Sequence, residues 1–182
     1  MEAQRLIILD RDGVINYDSD AYIKSADEFV PLPGSLEAMA RLRRAGYRIA
    51  VCTNQSGLAR GLFSLDDLHA MHQKLIRLLA QHGGGIDALL YCPHGPHAGC
   101  RCRKPRPGLL EEVGARLRMP LTGVPAIGDS ARDLEAARAV GAQPILVRTG
   151  KGTRTLAAGV DPAVAVYDDL AAAVDALLAS AA

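Results

Sequence analysis

The sequence predicts an α/β fold: a three-layer Rossmann-like sandwich with a mostly parallel central sheet and no large cap domain. Short apolar runs, several of them rich in β-branched residues, alternate with longer segments of helical periodicity, which is typical of βαβ units. Several of the short runs end in polar residues, as strands do where an open α/β sheet forms its ligand crevice. The chain has 182 residues, which fits one domain spanning 1–182.

The predicted strands are short apolar runs that stop at polar residues or glycine. The first run, 6–9, leads straight into two carboxylates, as a strand buried on both faces does at a ligand-binding mouth. Similar runs recur, so that the predicted strands are 6–9, 48–52, 86–91, 124–127, 145–147 and 164–166. The segment 17–33 is too polar and too rich in proline for a regular element, and we expect it to form a loop over the crevice.

The predicted helices are apolar stripes at helical spacing with capping residues at their ends. Ser35 can cap the first helix and Gly46 can close it, while Ser64 and Asp67 resemble a capping box for the second. The second helix ends at three glycines, 83–85, and the histidines expected at its surface or boundary are His69, His72 and His82. The other predicted helices cover 108–118, 134–140 and 170–178.

The composition is that of a globular protein, with 49% apolar and 23% charged residues. A net charge of +1 and 4% aromatic residues provide neither the basic footprint nor the stacking surface of a nucleic-acid-binding protein. No segment approaches the ~18–20 consecutive apolar residues of a membrane span, and the N-terminus lacks a secretory pattern. We therefore expect a cytoplasmic monomer that binds a small anionic molecule, with neither nucleic acid nor membrane as a partner.

Two acids, Asp10 and Asp12, follow the first predicted strand in the stretch LIILDRDGVIN. In an extended chain residues i and i+2 project to the same side about 6–7 Å apart, so both carboxylates could face one substrate. Gly13 allows the chain to turn sharply behind them. A solvated turn that merely ends a strand is the alternative, and the ends of the other strands decide between the two.

Four segments at or after predicted strand ends carry groups that suit phosphoryl transfer: Asp10 and Asp12, Thr53 and Asn54, Arg103 and Lys104, and Asp129 with Asp133. Transfer from a dianionic monoester needs a nucleophile, a proton donor for the leaving oxygen and cations on the equatorial oxygens. Converging carboxylates repel each other unless a hard cation joins them, and the oxygen ligands available here for Mg²⁺ are Asp10, Asp12 and Asp129. Lys104 would neutralise phosphate oxygens, to which Thr53 and Asn54 would donate hydrogen bonds.

Three cysteines and a histidine in one short segment predict a second metal site, with the ligands Cys92, His94, Cys100 and Cys102. Three thiolates and one imidazole form a closed tetrahedral set for structural Zn²⁺. Buried apolar cysteines are one alternative, although a loop with two prolines and two glycines buries little, and His97 is an alternative to His94. Because Lys104 follows directly, we expect zinc to fix the loop that positions its charge.

The motifs DRDGVIN, TNQSGLARG, CRKPRPG and GDSARD, in this order and spacing, resemble the four motifs of the haloacid dehalogenase superfamily of phosphatases. Within that superfamily the chain is most similar to the D-glycero-D-manno-heptose 1,7-bisphosphate 7-phosphatases, relatives of the histidinol-phosphate phosphatases. The resemblance runs over nearly the whole chain, and the same family carries a zinc loop. It implies hydrolysis of the C7 phosphate of this sugar bisphosphate, on the way to ADP-heptose for lipopolysaccharide.

The resemblance also implies a role for each matching residue. Asp10 would attack phosphorus and become an aspartyl-phosphate, while Asp12 would protonate the leaving oxygen and then deprotonate the hydrolytic water. Asp12 would also bind Mg²⁺, through its side chain or its backbone carbonyl, together with Asp10 and Asp129. The phosphoryl group would be held by Thr53 and Lys104. Asp133 would either orient Lys104 or be an exposed acid in the first turn of a helix. The residues matching the family's substrate contacts are Asp18, Ser19, Asp20, Tyr22, Gln55, Ser56, Arg103 and Ser130.

Several alternatives stay open at this point. A histidinol-phosphate or other sugar-phosphate phosphatase would share these motifs, although TNQSGLARG favours the heptose substrate. A polynucleotide 3′-phosphatase would need basic stripes or stacking aromatics, which this sequence lacks. A zinc-stabilised phosphate-sensing module would not need to keep both Asp10 and Asp12. The segment 148–152 could touch a distal anion, but we expect an ordinary solvated loop there.

Overall fold

The structure is a computed structural model that describes residues 5–180, in which six strands alternate with six helices. The strands are β1 (Arg5–Leu9), β2 (Tyr47–Asn54), β3 (Ala88–Cys92), β4 (Pro125–Gly128), β5 (Gln143–Val147) and β6 (Ala165–Tyr167). The helices are α1 (Ser35–Arg44), α2 (Leu65–Gln81), α3 (Gly108–Leu117), α4 (Ala131–Ala139), α5 (Gly152–Ala158) and α6 (Leu170–Ser180).

The strands form one parallel sheet in the order β3-β2-β1-β4-β5-β6. The chain winds outward from β1 to β3 on one side and then returns to place β4 against the other side of β1. This reversal opens a crevice beyond the carboxyl ends of β1 and β4, where open α/β sheets bind their ligands. The predicted Rossmann-like α/β fold with a parallel sheet is therefore confirmed.

The sheet is buried on both faces, which gives the molecule its three layers. Alternate residues of β1 point to opposite sides, so that Ile7 and Leu9 pack with α1, α2 and α6. Leu6 and Ile8 pack on the other face with α3 and α4. This double burial explains why β1 is an unbroken apolar run and not an alternating one.

Most predicted elements are present, with ends shifted by one or a few residues. The capping box of Ser64 and Asp67 forms as predicted. Ser35, by contrast, is the first residue of α1 and not its cap, since its hydroxyl donates to the Ile15 carbonyl at 2.7 Å. His72 is buried at 7% exposure, so its predicted position at the helix surface or boundary is wrong.

Helix α5 has no counterpart in the sequence prediction. It begins at Gly152 without a side-chain cap and has only seven residues, so local signals for it are weak. Its stability comes from tertiary contacts, among them a hydrogen bond from the Thr155 hydroxyl to the Asp129 carbonyl at 2.8 Å.

The predicted domain, 1–182, includes 1–4 and 181–182, which lie outside the described residues. The predicted loop at 17–33 is irregular as expected, apart from a single bridge between Asn16 and Pro31. Among the described helices, none combines the length and the apolar character needed to cross a membrane.

Candidate active site

Strand β1 ends at Leu9 and delivers Asp10 to the crevice. The backbone N–H of Asp10 donates to the Ile127 carbonyl of β4 at 3.0 Å, which ties the chain to the strand beside it. Oδ1 of Asp10 accepts from the Arg11 backbone N–H at 2.8 Å and lies 3.0 Å from Nζ of Lys104. These contacts fix Oδ1 and leave Oδ2 as the oxygen for nucleophilic attack.

The ammonium of Lys104 is buried and meets three oxygens. Nζ donates to the Cys52 carbonyl at 2.6 Å and to Asp133 Oδ1 at 2.7 Å, and it lies 3.0 Å from Asp10 Oδ1. Burial disfavours the charge, but the carboxylates of Asp10 and Asp133 outweigh it and raise the pKa of Lys104 above its ordinary value. Lys104 is therefore a fixed positive charge beside Asp10.

Asn54, the last residue of β2, holds the backbone of Lys104. Its Nδ2 donates to the Lys104 carbonyl and its Oδ1 accepts from the Lys104 N–H, each at 3.0 Å. The sequence predicts Asn54 as a hydrogen-bond donor to phosphate, whereas the structure engages both ends of its amide with Lys104. The physical reason is that the loop carrying Lys104 runs directly beside the end of β2, so Asn54 acts on a phosphate through Lys104.

Thr53 and Gln55 link the end of β2 to Asp12. Nε2 of Gln55 donates to Thr53 Oγ1 and to Asp12 Oδ2, both at 2.9 Å. Because the Thr53 hydroxyl accepts from Gln55, its own proton is available for an anion in the crevice. Gln55, which matches a substrate contact of the related family, thus also supports an acid.

Asp129 follows β4 and is enclosed by two glycines. A β-carbon at Gly13 would lie 2.0 Å from Oδ2 of Asp129, and one at Gly150 would lie 2.2 Å from it. Both glycines also have positive φ, 82° and 58°. The Lys151 N–H donates to the same oxygen at 2.8 Å. The expectation that 148–152 is an ordinary solvated loop is therefore wrong: its backbone wraps a buried carboxylate.

Asp133 lies in the first turn of α4 and is buried. Its Oδ2 accepts from the N–H and the hydroxyl of Ser130 at 3.0 and 2.7 Å, and its Oδ1 binds Lys104 at 2.7 Å. Burial opposes ionisation, but the Lys104 ammonium and the Ser130 hydrogen bonds hold the pKa of Asp133 below its ordinary value. Of the two roles considered for Asp133, the structure places it in the one that orients Lys104.

Three carboxylates form a compact cluster, in which one oxygen from each lies within 4.8 Å of the others: Asp10, Asp129 and Asp133. Burial and the nearby Asp133 raise the pKa of Asp129 to about 7, and the same two causes raise the pKa of Asp10 well above its ordinary value. When all three are ionised, the single ammonium of Lys104 leaves two negative charges in excess. A divalent cation with oxygen ligands fits this charge and this donor set.

The carboxylate of Asp12 lies outside that cluster. Its oxygens accept from the Arg11 guanidinium, from Asn16 Nδ2 at 2.8 Å and from Gln55 Nε2 at 2.9 Å. Burial opposes ionisation, but Arg11 and these hydrogen bonds hold the pKa of Asp12 below its ordinary value. Of the two predicted modes of Mg²⁺ ligation by Asp12, the side chain does not fit this arrangement, and the backbone carbonyl remains.

These groups line a pocket of about 280 Å³. Every predicted catalytic, phosphate, magnesium and substrate residue contributes to its wall, namely Asp10, Asp12, Asp18, Ser19, Asp20, Tyr22, Thr53, Asn54, Gln55, Ser56, Arg103, Lys104, Asp129 and Ser130. Two cations that were not among the predicted site residues also line the pocket, Arg132 and Lys151, the second from the segment 148–152. Arg132 lies within the GDSARD motif, which is the signal that could have found it. Nζ of Lys151 pairs with Asp18 Oδ2 at 2.7 Å.

The cysteine segment converges as predicted. The ligand atoms of the four residues lie within 4.8 Å of one another: Cys92, His94, Cys100 and Cys102. Sγ of Cys92 is 3.7 Å from that of Cys100 and 3.2 Å from that of Cys102, which rules out a disulfide at ~2.05 Å. Four ligands placed ~2.3 Å from a tetrahedral zinc would be about 3.8 Å apart, so the set matches a small metal ion. His97, the alternative ligand, lies outside this group.

Comparisons with known proteins identify the family of the chain. The HAD-hydrolase-like family model matches residues 101–173. A D-glycero-β-D-manno-heptose-1,7-bisphosphate 7-phosphatase of Pseudomonas putida is 58% identical over 168 residues, covering 92% of this chain and 96% of the relative. The crystal structure of D,D-heptose 1,7-bisphosphate phosphatase from Bordetella bronchiseptica, complexed with magnesium and phosphate, superposes with a TM-score of 0.94 at 54% identity, covering 97% of this chain and 99% of that one. The corresponding enzyme from Burkholderia thailandensis gives a TM-score of 0.76 at 45% identity, with coverages of 96% and 98%.

Proposed function

The chain belongs to the D-glycero-β-D-manno-heptose-1,7-bisphosphate 7-phosphatases of the haloacid dehalogenase superfamily and is a phosphatase, and on this premise we propose that it hydrolyses the C7 phosphate of that sugar bisphosphate. The observation that carries the proposal is the convergence of Asp10, Lys104 and Asp129 in one pocket at the switch point of the sheet. That arrangement combines a nucleophile, a fixed cation and a magnesium ligand within reach of one phosphate.

The reaction proceeds in two steps. Oδ2 of Asp10 attacks phosphorus in line with the bond to the C7 oxygen; that bond breaks, and Asp12 gives its proton to the leaving oxygen. Water then attacks the aspartyl-phosphate, Asp12 takes a proton from the water, and Asp10 leaves as a carboxylate. The steps balance because the proton that Asp12 takes from the water replaces the one that it gave to the leaving oxygen. Lys104 and the Thr53 hydroxyl stabilise the charge on the phosphoryl oxygens throughout.

The residues that would hold Mg²⁺ are Asp10, Asp129 and the backbone carbonyl of Asp12. Bound there, the ion supplies the positive charge that lets a dianionic phosphate approach a group of acids. Asp133 is committed to Lys104 and Ser130, so it contributes negative charge to the site and orients Lys104, but is not counted as a ligand.

A second phosphate on the substrate fits two arginines that line the pocket, Arg103 and Arg132. Burial and the charge of Arg132 lower the pKa of Arg103, so the two guanidinium groups repel each other. Two acids that line the same pocket are already paired: Asp18 with Lys151, and Asp20 with Arg154. A sugar bisphosphate brings an anion to this wall, whereas histidinol phosphate brings an amine; this favours the bisphosphate.

The cysteine site would hold structural Zn²⁺ and organise the loop that leads to Lys104. Cys102 is two residues from Lys104, and Arg106 donates to the carbonyls of Gly99 and Cys100, so the ligand loop and the Lys104 segment are joined. A ligand set of thiolates also fits a reducing compartment, and we place the enzyme in the cytoplasm on that ground.

A phosphate-release assay with Mg²⁺ tests the substrate assignment. The substrates are D-glycero-β-D-manno-heptose 1,7-bisphosphate, histidinol phosphate and a 3′-phosphorylated oligonucleotide. We expect the largest kcat/KM for the bisphosphate, and we expect Arg132→Gln to reduce it by raising KM. A larger kcat/KM for histidinol phosphate would overturn the assignment of the sugar bisphosphate as the substrate. Turnover that survives Asp10→Asn would overturn the nucleophile and with it the mechanism.

A further inference from the structure

Arg11 lies between the two acids of the first motif and is completely buried. It is one of the largest side chains with no exposure at all. An arginine is almost never fully buried unless its charge is paired, because removing it from water is costly. Arg11 has no role in the two catalytic steps, so those steps do not explain why its charge is buried.

The guanidinium of Arg11 donates hydrogen bonds to both oxygens of the Asp12 carboxylate. Nε donates to Oδ1 at 3.0 Å, while the terminal NH2 nitrogen donates to Oδ2 at 3.2 Å and lies 2.8 Å from Oδ1. Such a fork fixes the plane of a carboxylate and not only its distance, because two parallel bonds resist rotation. Asn16 Nδ2 adds a further bond to Oδ1 at 2.8 Å.

The part of the Arg11 guanidinium that faces away from Asp12 also has partners in the core. The remaining terminal nitrogen lies 3.1 Å from Nε2 of His72, and the guanidinium lies over the Phe29 ring, 5.6 Å from its centroid. Burial and the Arg11 charge lower the pKa of His72 to about 3, so the ring is neutral and its Nε2 can accept this bond. Lys74 in turn fixes the Phe29 segment by donating to the carbonyls of Ala26 and Phe29 at 2.6 and 2.7 Å.

The two oxygens of Asp12 therefore differ. Oδ1 is occupied by Arg11 and Asn16, neither of which lines the pocket. Oδ2 has the longer Arg11 contact, at 3.2 Å, and accepts from Gln55 at 2.9 Å, and Gln55 does line the pocket. Only Oδ2 is thus placed on the side from which a leaving oxygen or a water arrives.

We propose that Arg11 is a positioning residue for proton transfer: by fixing the plane of the Asp12 carboxylate, with its two shorter contacts to Oδ1, it presents Oδ2 to the leaving oxygen and then to the hydrolytic water. The inference rests on the proposed acid–base role of Asp12. His72 supports the same positioning, because it contacts the terminal nitrogen of the guanidinium that does not bind Asp12. Neither Arg11 nor His72 touches the substrate.

The test compares leaving groups. The C7 oxygen of a sugar phosphate must be protonated as it leaves, whereas p-nitrophenolate departs without a proton. The quantity to measure is kcat/KM for the sugar bisphosphate and for p-nitrophenyl phosphate, because it includes only steps up to loss of the leaving group and excludes the later hydrolysis. We expect Arg11→Met to lower kcat/KM for the sugar bisphosphate by about 100-fold and for p-nitrophenyl phosphate by less than about 5-fold.

Arg11→Lys is a second variant, for the case that Arg11→Met does not fold. It keeps a buried positive charge but cannot form the fork. It should fold and show the same selective loss. Met39→Ala is the matched control, because Met39 is a fully buried core residue of α1 away from the pocket wall. It should lower thermal stability and leave the ratio of the two kcat/KM values unchanged.

Equal losses on both substrates in Arg11→Lys, or no loss on either, would overturn the inference. Asp12→Asn, measured alongside, separates this failure from a failure of the mechanism. A selective loss in Asp12→Asn without one in the Arg11 variants would overturn the role of Arg11 alone. A non-selective loss in Asp12→Asn would overturn Asp12 as the acid, and the role of Arg11 with it.

Discussion

The side-chain amide of Asn54 binds the backbone of Lys104 from both sides, donating to its carbonyl and accepting from its N–H, each at 3.0 Å. This pair joins the end of a rigid central strand to a loop without regular structure. A charge on a long side chain is useful to a phosphate only when the backbone that carries the side chain is fixed, and Asn54 fixes that backbone.

Loss of this pair should lower activity without removing either metal. We expect Asn54→Leu to reduce kcat by about 10- to 100-fold, because Lys104 is displaced, and to cost about 1–3 kcal/mol of unfolding free energy. Steady-state kinetics and denaturant unfolding check these values. Asn54→Asp keeps the acceptor for the Lys104 N–H but places a carboxylate oxygen against the Lys104 carbonyl, so it should also lose unfolding free energy. A wild-type kcat in Asn54→Leu would show that activity does not depend on the hydrogen bonds between Asn54 and the Lys104 backbone.

Removal of one cysteine ligand should reach the active site through the same loop. Cys100→Ser should lose zinc, show faster amide exchange over 92–107 and reduce kcat by about 10-fold or more. Metal analysis, hydrogen exchange and kinetics are the measurements. His97→Gln is the control, because His97 lies outside the ligand group and should keep both zinc and activity. A zinc-free Cys100→Ser enzyme of wild-type activity would contradict the coupling.

The glycines around Asp129 should be essential for magnesium binding. A β-carbon in Gly13→Ala would lie 2.0 Å from Asp129 Oδ2 and must displace it. We expect Mg²⁺ affinity to fall at least about 10-fold, measured by calorimetric titration.

Gly123→Ala is the matched control for this prediction. Gly123 also has a positive φ, 74°, but a β-carbon there would meet nothing within 4 Å. It should show the same kind of backbone strain, seen as a lower Tm, with unchanged Mg²⁺ affinity. Equal affinities in Gly13→Ala and Gly123→Ala would mean that the close approach to Asp129 is unimportant.

The metal-free protein should lose stability as pH rises from about 4 to 7. Burial and Asp133 raise the pKa of Asp129 to about 7 in the folded state, against ~3.9 in the unfolded chain. The folded state therefore binds the extra proton in this window, and its contribution, complete below about pH 4, disappears as pH rises through 7.

Calorimetric scans at several pH values with a chelator check this slope. Asp129→Asn should reduce the slope, because it removes one of the two carboxylates, Asp10 and Asp129, whose pKa is raised in the folded state. Mg²⁺ binds the ionised carboxylate, so it should raise Tm more at pH 8 than at pH 5. A chelated protein whose stability rises steadily between pH 4 and 7, with the same slope in Asp129→Asn, would contradict the assigned pKa.

The sheet and the positions of the acids were predictable because their signals are local. A buried parallel strand must be an unbroken apolar run, so 6–9 could be recognised without its neighbours. The convergence of Asp10 with Asp129 followed from topology, since both directly follow parallel strands whose carboxyl ends share one edge of the sheet.

The parts that sequence did not reveal depend on contacts between distant segments. Helix α5 and the loop before it are stabilised by Asp129, which is 22 residues from Lys151 in the chain. Asn54 has the composition of a phosphate ligand, and only the folded structure shows that its amide also binds the Lys104 backbone. His72 has a polar side chain on a helix, and its partner in the core is Arg11, 61 residues away in the chain.

The most direct test of the central claim is to trap the covalent intermediate. The enzyme is mixed with Mg²⁺ and the sugar bisphosphate, quenched within a turnover, reduced with borohydride and analysed by peptide mass spectrometry. An acyl phosphate is reduced to an alcohol, so we predict homoserine at position 10 in the wild type and its absence in Asp10→Asn. Phosphate release with no modification at Asp10, or with modification of a different carboxylate, would contradict the account.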